Sequence, residues 1–148
     1  MCFLADLFKK KTEFPLVEWK PIEYPLTSNQ IFELVKDTTD HVYMWDSQYW
    51  AVSLDDWKRI FDDVRSSLPK YQIDRLDCED FAFLVMARII ERYGLNTCGV
   101  AVGLVPFGYH GYNLFVAWED NQAKLHVLEP QTGEIDPTGY NKDTVIFG

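Results

Sequence analysis

Cysteine is scarce in this chain: Cys2, Cys78 and Cys98 are its only three in 148 residues. The number is odd and the spacings are wide. No CxxC pair or Cys/His cluster accompanies them, so neither a zinc site nor a disulfide framework is written into the sequence. Free thiols in a reducing compartment are the expectation. Basic residues are also in short supply, with 14 Lys and Arg against 23 Asp and Glu and a net charge of −9. Such a chain repels phosphate backbones, which disfavours a nucleic-acid partner. A cation, a basic ligand or a neutral polypeptide suits it better. No apolar run approaches membrane-spanning length. The start, Met1 to Phe8, lacks the basic-then-apolar order of a signal peptide, and Asp6 interrupts it. A soluble, cytoplasmic protein with no membrane partner is expected.

Aromatic residues, by contrast, are abundant at 16%, and 47% of the chain is hydrophobic. That is enough apolar material for a core in one domain of ordinary size, 1–148, with no internal repeat or boundary. Residues 1–27 carry Pro15, Pro21 and Pro25 and read as an extended arm anchored by aromatics such as Trp19 and Tyr24. A helical part follows over 28–70. Thr27 or Ser28 caps a first helix through about residue 36, and Ser53 caps a second to about Ser67. The stretch 40–52, with Tyr43, Trp45, Tyr49 and Trp50, reads as an aromatic loop.

A third helix is predicted from Cys78 to Tyr93, with Asp77 as N-cap and Gly94 just past its end. Its first three turns hold little polar face, so it is expected to be buried and central. After Gly94 the hydrophobic period shortens. Cys98–Val105, Tyr112–Trp118, Lys124–Leu128 and Thr144–Phe147 read as strands with short loops, a small antiparallel sheet. The fold class is therefore α+β: N-terminal helices with a buried central helix packed on that sheet.

One constellation in this plan carries chemistry. A cysteine acts as a thiolate, and a helix N-terminus or a nearby histidinium lowers its pKa. Cys78 stands at a predicted helix start. A base has to be a histidine held on its other nitrogen. His110 opens one predicted strand and Glu129 closes the next, and antiparallel neighbours can bring those two ends together. Gln131 and Asn113 are rival partners for the histidine, with Asn113 ranked lower because its odd separation from His110 sends it to the other strand face. The backbone N–H of Cys78 and, upstream, the side chain of Gln48 are candidate oxyanion donors. Read singly, each of these residues is most simply a packed or solvated one; order and spacing make the joint case.

Asp77-Cys78-Glu79-Asp80-Phe81-Ala82, then Tyr109-His110-Gly111-Tyr112, then Leu128-Glu129-Pro130-Gln131-Thr132-Gly133 resemble transglutaminase-like and papain-like cysteine proteases. The likeness is to bacterial transglutaminase-like cysteine proteinases, to the papain-like C-terminal domain of the fungal agglutinin family, and to small phage-encoded proteins. It covers about residues 71–136. It implies Cys78 as nucleophile, His110 as base and Glu129 as orienter, with a glutamate where the bacterial group more often has aspartate. It also implies calcium on the acidic residues beside the cysteine. Asp77, Glu79 and Asp80 are the candidate ligands, although helix capping and dipole compensation account for the same residues without an ion. Unneutralised, those carboxylates raise the pKa of Cys78.

The function so implied is a cysteine hydrolase acting on peptide or isopeptide amides through an acyl-enzyme, with a polypeptide substrate or protein partner. Two alternatives stand beside it. One is a non-catalytic phage or accessory module on the same fold, placed in the host cytoplasm or the virion. The other is a protein-glutamine acyltransferase, which shares the site.

Overall fold

The computed structural model describes residues 17–148. The first part of the expected arm lies outside the described residues. Ten elements follow in chain order: β1 (Tyr24–Thr27), α1 (Ser28–Val35), β2 (His41–Met44), β3 (Gln48–Ser53), α2 (Leu54–Ser66), α3 (Cys78–Tyr93), β4 (Cys98–Val105), β5 (Gly108–Glu119), β6 (Gln122–Leu128) and β7 (Thr144–Phe147). The class is α+β. The sheet, however, has seven strands in the order β1-β3-β5-β4-β7-β2, with β6 also paired to β5.

Three expectations are corrected here. The sheet is mixed, because β2 runs parallel to β7 and β3 parallel to β5. The aromatic stretch 40–52 is mostly strand: β2 and β3 occupy it, with Tyr49 buried while Tyr43 and Trp45 stay exposed. Alternation in and out of a sheet explains that pattern better than a loop does. Finally, α3 is buried along one face only. Phe81, Ala82, Val85 and Ile89 are covered, but Phe83 is exposed.

Helices cover both faces of the sheet. On one face α1 contributes Ile31 and Val35 to a core with Tyr112, Leu114 and Val116 of β5. On the other, α2 and α3 pack Trp57, Phe61, Val85 and Ile89 against Phe115 and Ala117. Successive β5 residues thus address opposite helices. Local chemistry sets the helix ends. Thr27 and Gln30 form a reciprocal capping box at α1, and the Ser53 hydroxyl accepts from the Asp56 amide at α2. Gly94 ends α3 at φ +69°, a left-handed conformation that glycine adopts without penalty.

Candidate functional site

Helix α3 begins against the edge of β5, and the contact is close. A Cβ placed on Gly111 would lie 2.6 Å from the Cα of Glu79, so only glycine lets the helix start approach the strand this far. Asn113, two residues on, donates to the Ala82 carbonyl of α3 at 2.8 Å and to the Gly99 carbonyl of β4 at 3.0 Å. It pins helix to sheet and is engaged away from His110.

The alternation that sends Gly111 and Asn113 toward α3 sends His110 with Tyr112 to the other face, where the two rings stack 6.3 Å apart. His110 there meets Glu129, which follows β6 directly: the ring Nε2 lies 2.7 Å from Glu129 Oε2. Tyr140 donates its hydroxyl to the same oxygen at 2.8 Å, and the Gln131 amide donates to Oε1 at 3.0 Å. Burial pushes the Glu129 carboxyl up, but the histidine, the Gln131 amide and the Tyr140 hydroxyl outweigh it and hold the group below its ordinary range. The Gln131 side chain plays no part in that pairing. Nδ1 of His110 has no hydrogen-bond partner among the described residues. With the other ring nitrogen facing a carboxylate, a neutral His110 offers Nδ1 as an acceptor.

The 129–134 turn is held from behind. Arg65 of α2 donates Nε to the Pro130 carbonyl at 3.0 Å and Nη2 to the Gln131 carbonyl at 3.1 Å. Within the turn, the Gly133 amide reaches the Glu129 carbonyl at 2.8 Å.

Cys78 lies close by but is not joined to this group. No hydrogen bond links its sulfur to His110 among the described residues. The thiol donates instead to the Glu79 carboxylate, at 3.2 Å. Burial, and after it the hydrogen bond and charge of Glu79, push the thiol above its ordinary value, against a backbone N–H from Gly111 that pulls it down. Gln48 starts β3, pairs with Thr27 of β1 and lines no cavity that Cys78 touches. Strand pairing sets its position, apart from the residues that line the cleft.

Of the acidic residues, Asp80 turns back to accept from the Asp77 amide at 3.3 Å, a helix-capping bond. Donor atoms of Asp77, Cys78 and Glu79 all lie within 4.8 Å of one another, and one Asp77 oxygen is buried without a partner. Two carboxylates and a thiol fall well short of the six to eight oxygens calcium takes, so this set alone does not make its shell.

Around these residues opens a cleft of about 460 Å³. Its floor is His110 and Glu129, 7% and 5% exposed, and its rim includes Phe107 and Tyr109, 70% and 65% exposed. Tyr71 and Tyr140 complete the aromatic lining. A smaller cavity of about 220 Å³ shares Cys78, Tyr109 and His110 with the cleft and is bounded further by Glu79, Val102 and Gly111. Sequence reasoning missed Tyr71, Phe107, Tyr109 and Tyr140. Only the general abundance of aromatics hinted at them.

No family model and no curated protein matches the sequence. Solved structures do share the fold. One, a PSL1a–E64 complex, superposes with a TM-score of 0.69 at 21% identity, covering 83% of this chain and 51% of that one. Another is Polyporus squamosus lectin bound to the human-type influenza-binding epitope Neu5Acα2-6Galβ1-4GlcNAc, with a TM-score of 0.64 at 20% identity, covering 83% of this chain and 49% of that one. This chain spans about half the length of these structures.

These neighbours correct the expectation drawn from the three segments. The fungal tie is to a lectin, and the likeness to it is one of fold. The assignment to transglutaminase-like or papain-like proteases is withdrawn, and with it the cysteine hydrolase, the acyltransferase, the accessory module on that fold and the polypeptide partner. The site geometry is in keeping with this, since the thiol is paired with a carboxylate and has no hydrogen bond to the imidazole.

Proposed function

We propose that this chain binds a saccharide in the cleft between the start of α3, the β4–β5 hairpin and the 129–134 turn. One observation carries the reading: buried His110 and half-buried Tyr140, both hydrogen-bonded to the buried Glu129 carboxylate, line a cleft whose rim is exposed aromatic surface. Sugars present hydroxyls at their edges and C–H groups on their faces. Fixed polar atoms such as Nδ1 of His110 suit the first, and rings such as Phe107 and Tyr109 suit the second. The preorganisation is favourable too, because three hydrogen bonds and the Arg65 brace set the floor before any ligand arrives. The sugar epitope on the Polyporus squamosus lectin supports the ligand class. Half of each neighbouring chain has no counterpart here, so the reading stands on the chemistry of the cleft itself.

Calorimetric titration against a panel of neutral oligosaccharides tests it. Phe107→Ala and Tyr109→Ala, on the exposed hairpin, are expected to weaken the best ligand by about three- to tenfold each, the range of one aromatic contact. Binding unchanged in both variants, or no binding across the panel, overturns the proposal.

A further inference from the structure

The cleft has a one-sided electrostatic character. We propose that it selects positively charged amino sugars over neutral ones and turns away acidic sugars, an inference that rests on the saccharide reading above. Among the described residues, neither lysine nor arginine lines the cleft. Its carboxylates are Glu129 and Glu134. With Glu129 ionised, its pairing with His110 leaves no net positive charge at the floor. Glu134 is exposed and unpaired by any salt bridge among the described residues. Its charge reaches the Tyr140 hydroxyl, which burial and Glu129 push up first and Glu134 pushes up further.

The surroundings do not reverse the sign. Asp77 and Glu79 flank the Cys78 end. Arg65 is not among the cleft-lining residues, and its Nε and Nη2 donate to the Pro130 and Gln131 carbonyls. Lys142 lines a different cavity, beside Asp143 and His41. The whole chain adds a net charge of −9 to the same field. An ammonium group entering the cleft therefore meets one buried and one exposed carboxylate, and a sialic-acid carboxylate meets the same two as repulsion. On this chemistry the acidic epitope carried by the Polyporus squamosus lectin is a ligand the cleft refuses.

The test is a calorimetric titration of the full chain with four probes at a pH where free amines are protonated. They are chitotriose, its fully N-acetylated form, sialyllactose, and a linear triamine without sugar rings. Chitotriose is expected to bind up to about fivefold tighter than the acetylated form, the range of one exposed ion pair, with the gap shrinking in salt and in Glu134→Gln. Sialyllactose is expected not to bind where chitotriose saturates. Equal affinity for the two trisaccharides, or binding of sialyllactose as tight as theirs, overturns charge selection and leaves the saccharide reading standing. The triamine binding as well as chitotriose, or no probe binding at all, overturns the saccharide reading itself. Chitotriose affinity unchanged in Tyr109→Ala would mark diffuse attraction to an acidic protein and would overturn the proposal as well.

Discussion

Tyr140 and His110 share one oxygen: the tyrosine hydroxyl and the imidazole Nε2 both meet Glu129 Oε2, at 2.8 and 2.7 Å. A residue from the loop before β7 and one near the start of β5 are thus tied through a carboxylate that follows β6. Replacing Tyr140 by Phe removes one tie while keeping the ring that packs on Tyr112. Hydrogen bonds to charged groups contribute about 1.5–3 kcal/mol, and a loss in that range is expected in urea unfolding. Unchanged stability would show the hydroxyl to be dispensable.

Acid should act through Glu129. Its folded pKa lies below the unfolded value near 4.5. The unfolded chain therefore takes up the proton first as pH falls. The stabilisation is complete above about 4.5 and is lost as pH drops through the folded pKa. Glu129→Gln is expected to be less stable than the parent at neutral pH and to show a flatter decline below 4.5. Denaturant midpoints across that range decide it; parallel curves for the two proteins would refute the linkage.

At Cys78 the sign runs the other way. Burial first, and Glu79 after it, disfavour the thiolate. Glu79→Gln removes the charge and leaves only a neutral amide oxygen to accept from the protonated thiol, so alkylation at neutral pH should speed up by a few-fold. The measurement belongs in a Cys2→Ser background. Cys98 is fully buried, with its thiol pushed far up, and should not compete. A slower reaction in the variant would contradict the role given to Glu79.

Gly111 is the tightest joint between helix and sheet. Alanine there meets the Glu79 backbone and forces α3 away from β5. A cost of about 1–3 kcal/mol is expected, the usual range for overpacking. Calorimetry should register this as a drop in Tm of several degrees. An unshifted Tm would mean the helix start yields freely.

Much of the scaffold was legible in the chain because its signals are local. Asp77 before an apolar run and Gly94 after it mark a helix from Cys78 to Tyr93, and that is its observed extent. β4 was equally plain, being a short β-branched run between turns, and the weaker run at Thr144–Phe147 is β7. The strands at 41–44 and 48–53 were not, because dense aromatics mask a period of two. Their partners also lie far along the chain, β2 on β7 and β3 on β5. The site divides in the same way. His110 and Glu129 do sit together, as two sheet ends allow. Tyr140 and Arg65 carry no local pattern and enter only through tertiary contact. The partner of the Cys78 thiol was beyond reach as well, since a neighbouring glutamate and a distant histidine compete and only the folded geometry chooses between them.

Cys78 borders both cavities, the larger cleft and the smaller space beside Val102 and Gly111. It therefore stands as a sensor position already built into the lining that the two share, with Tyr109 and His110. In the Cys2→Ser background, a trifluoromethyl tag on that sulfur would give a fluorine resonance that moves when either chamber fills, with no cysteine added to the protein.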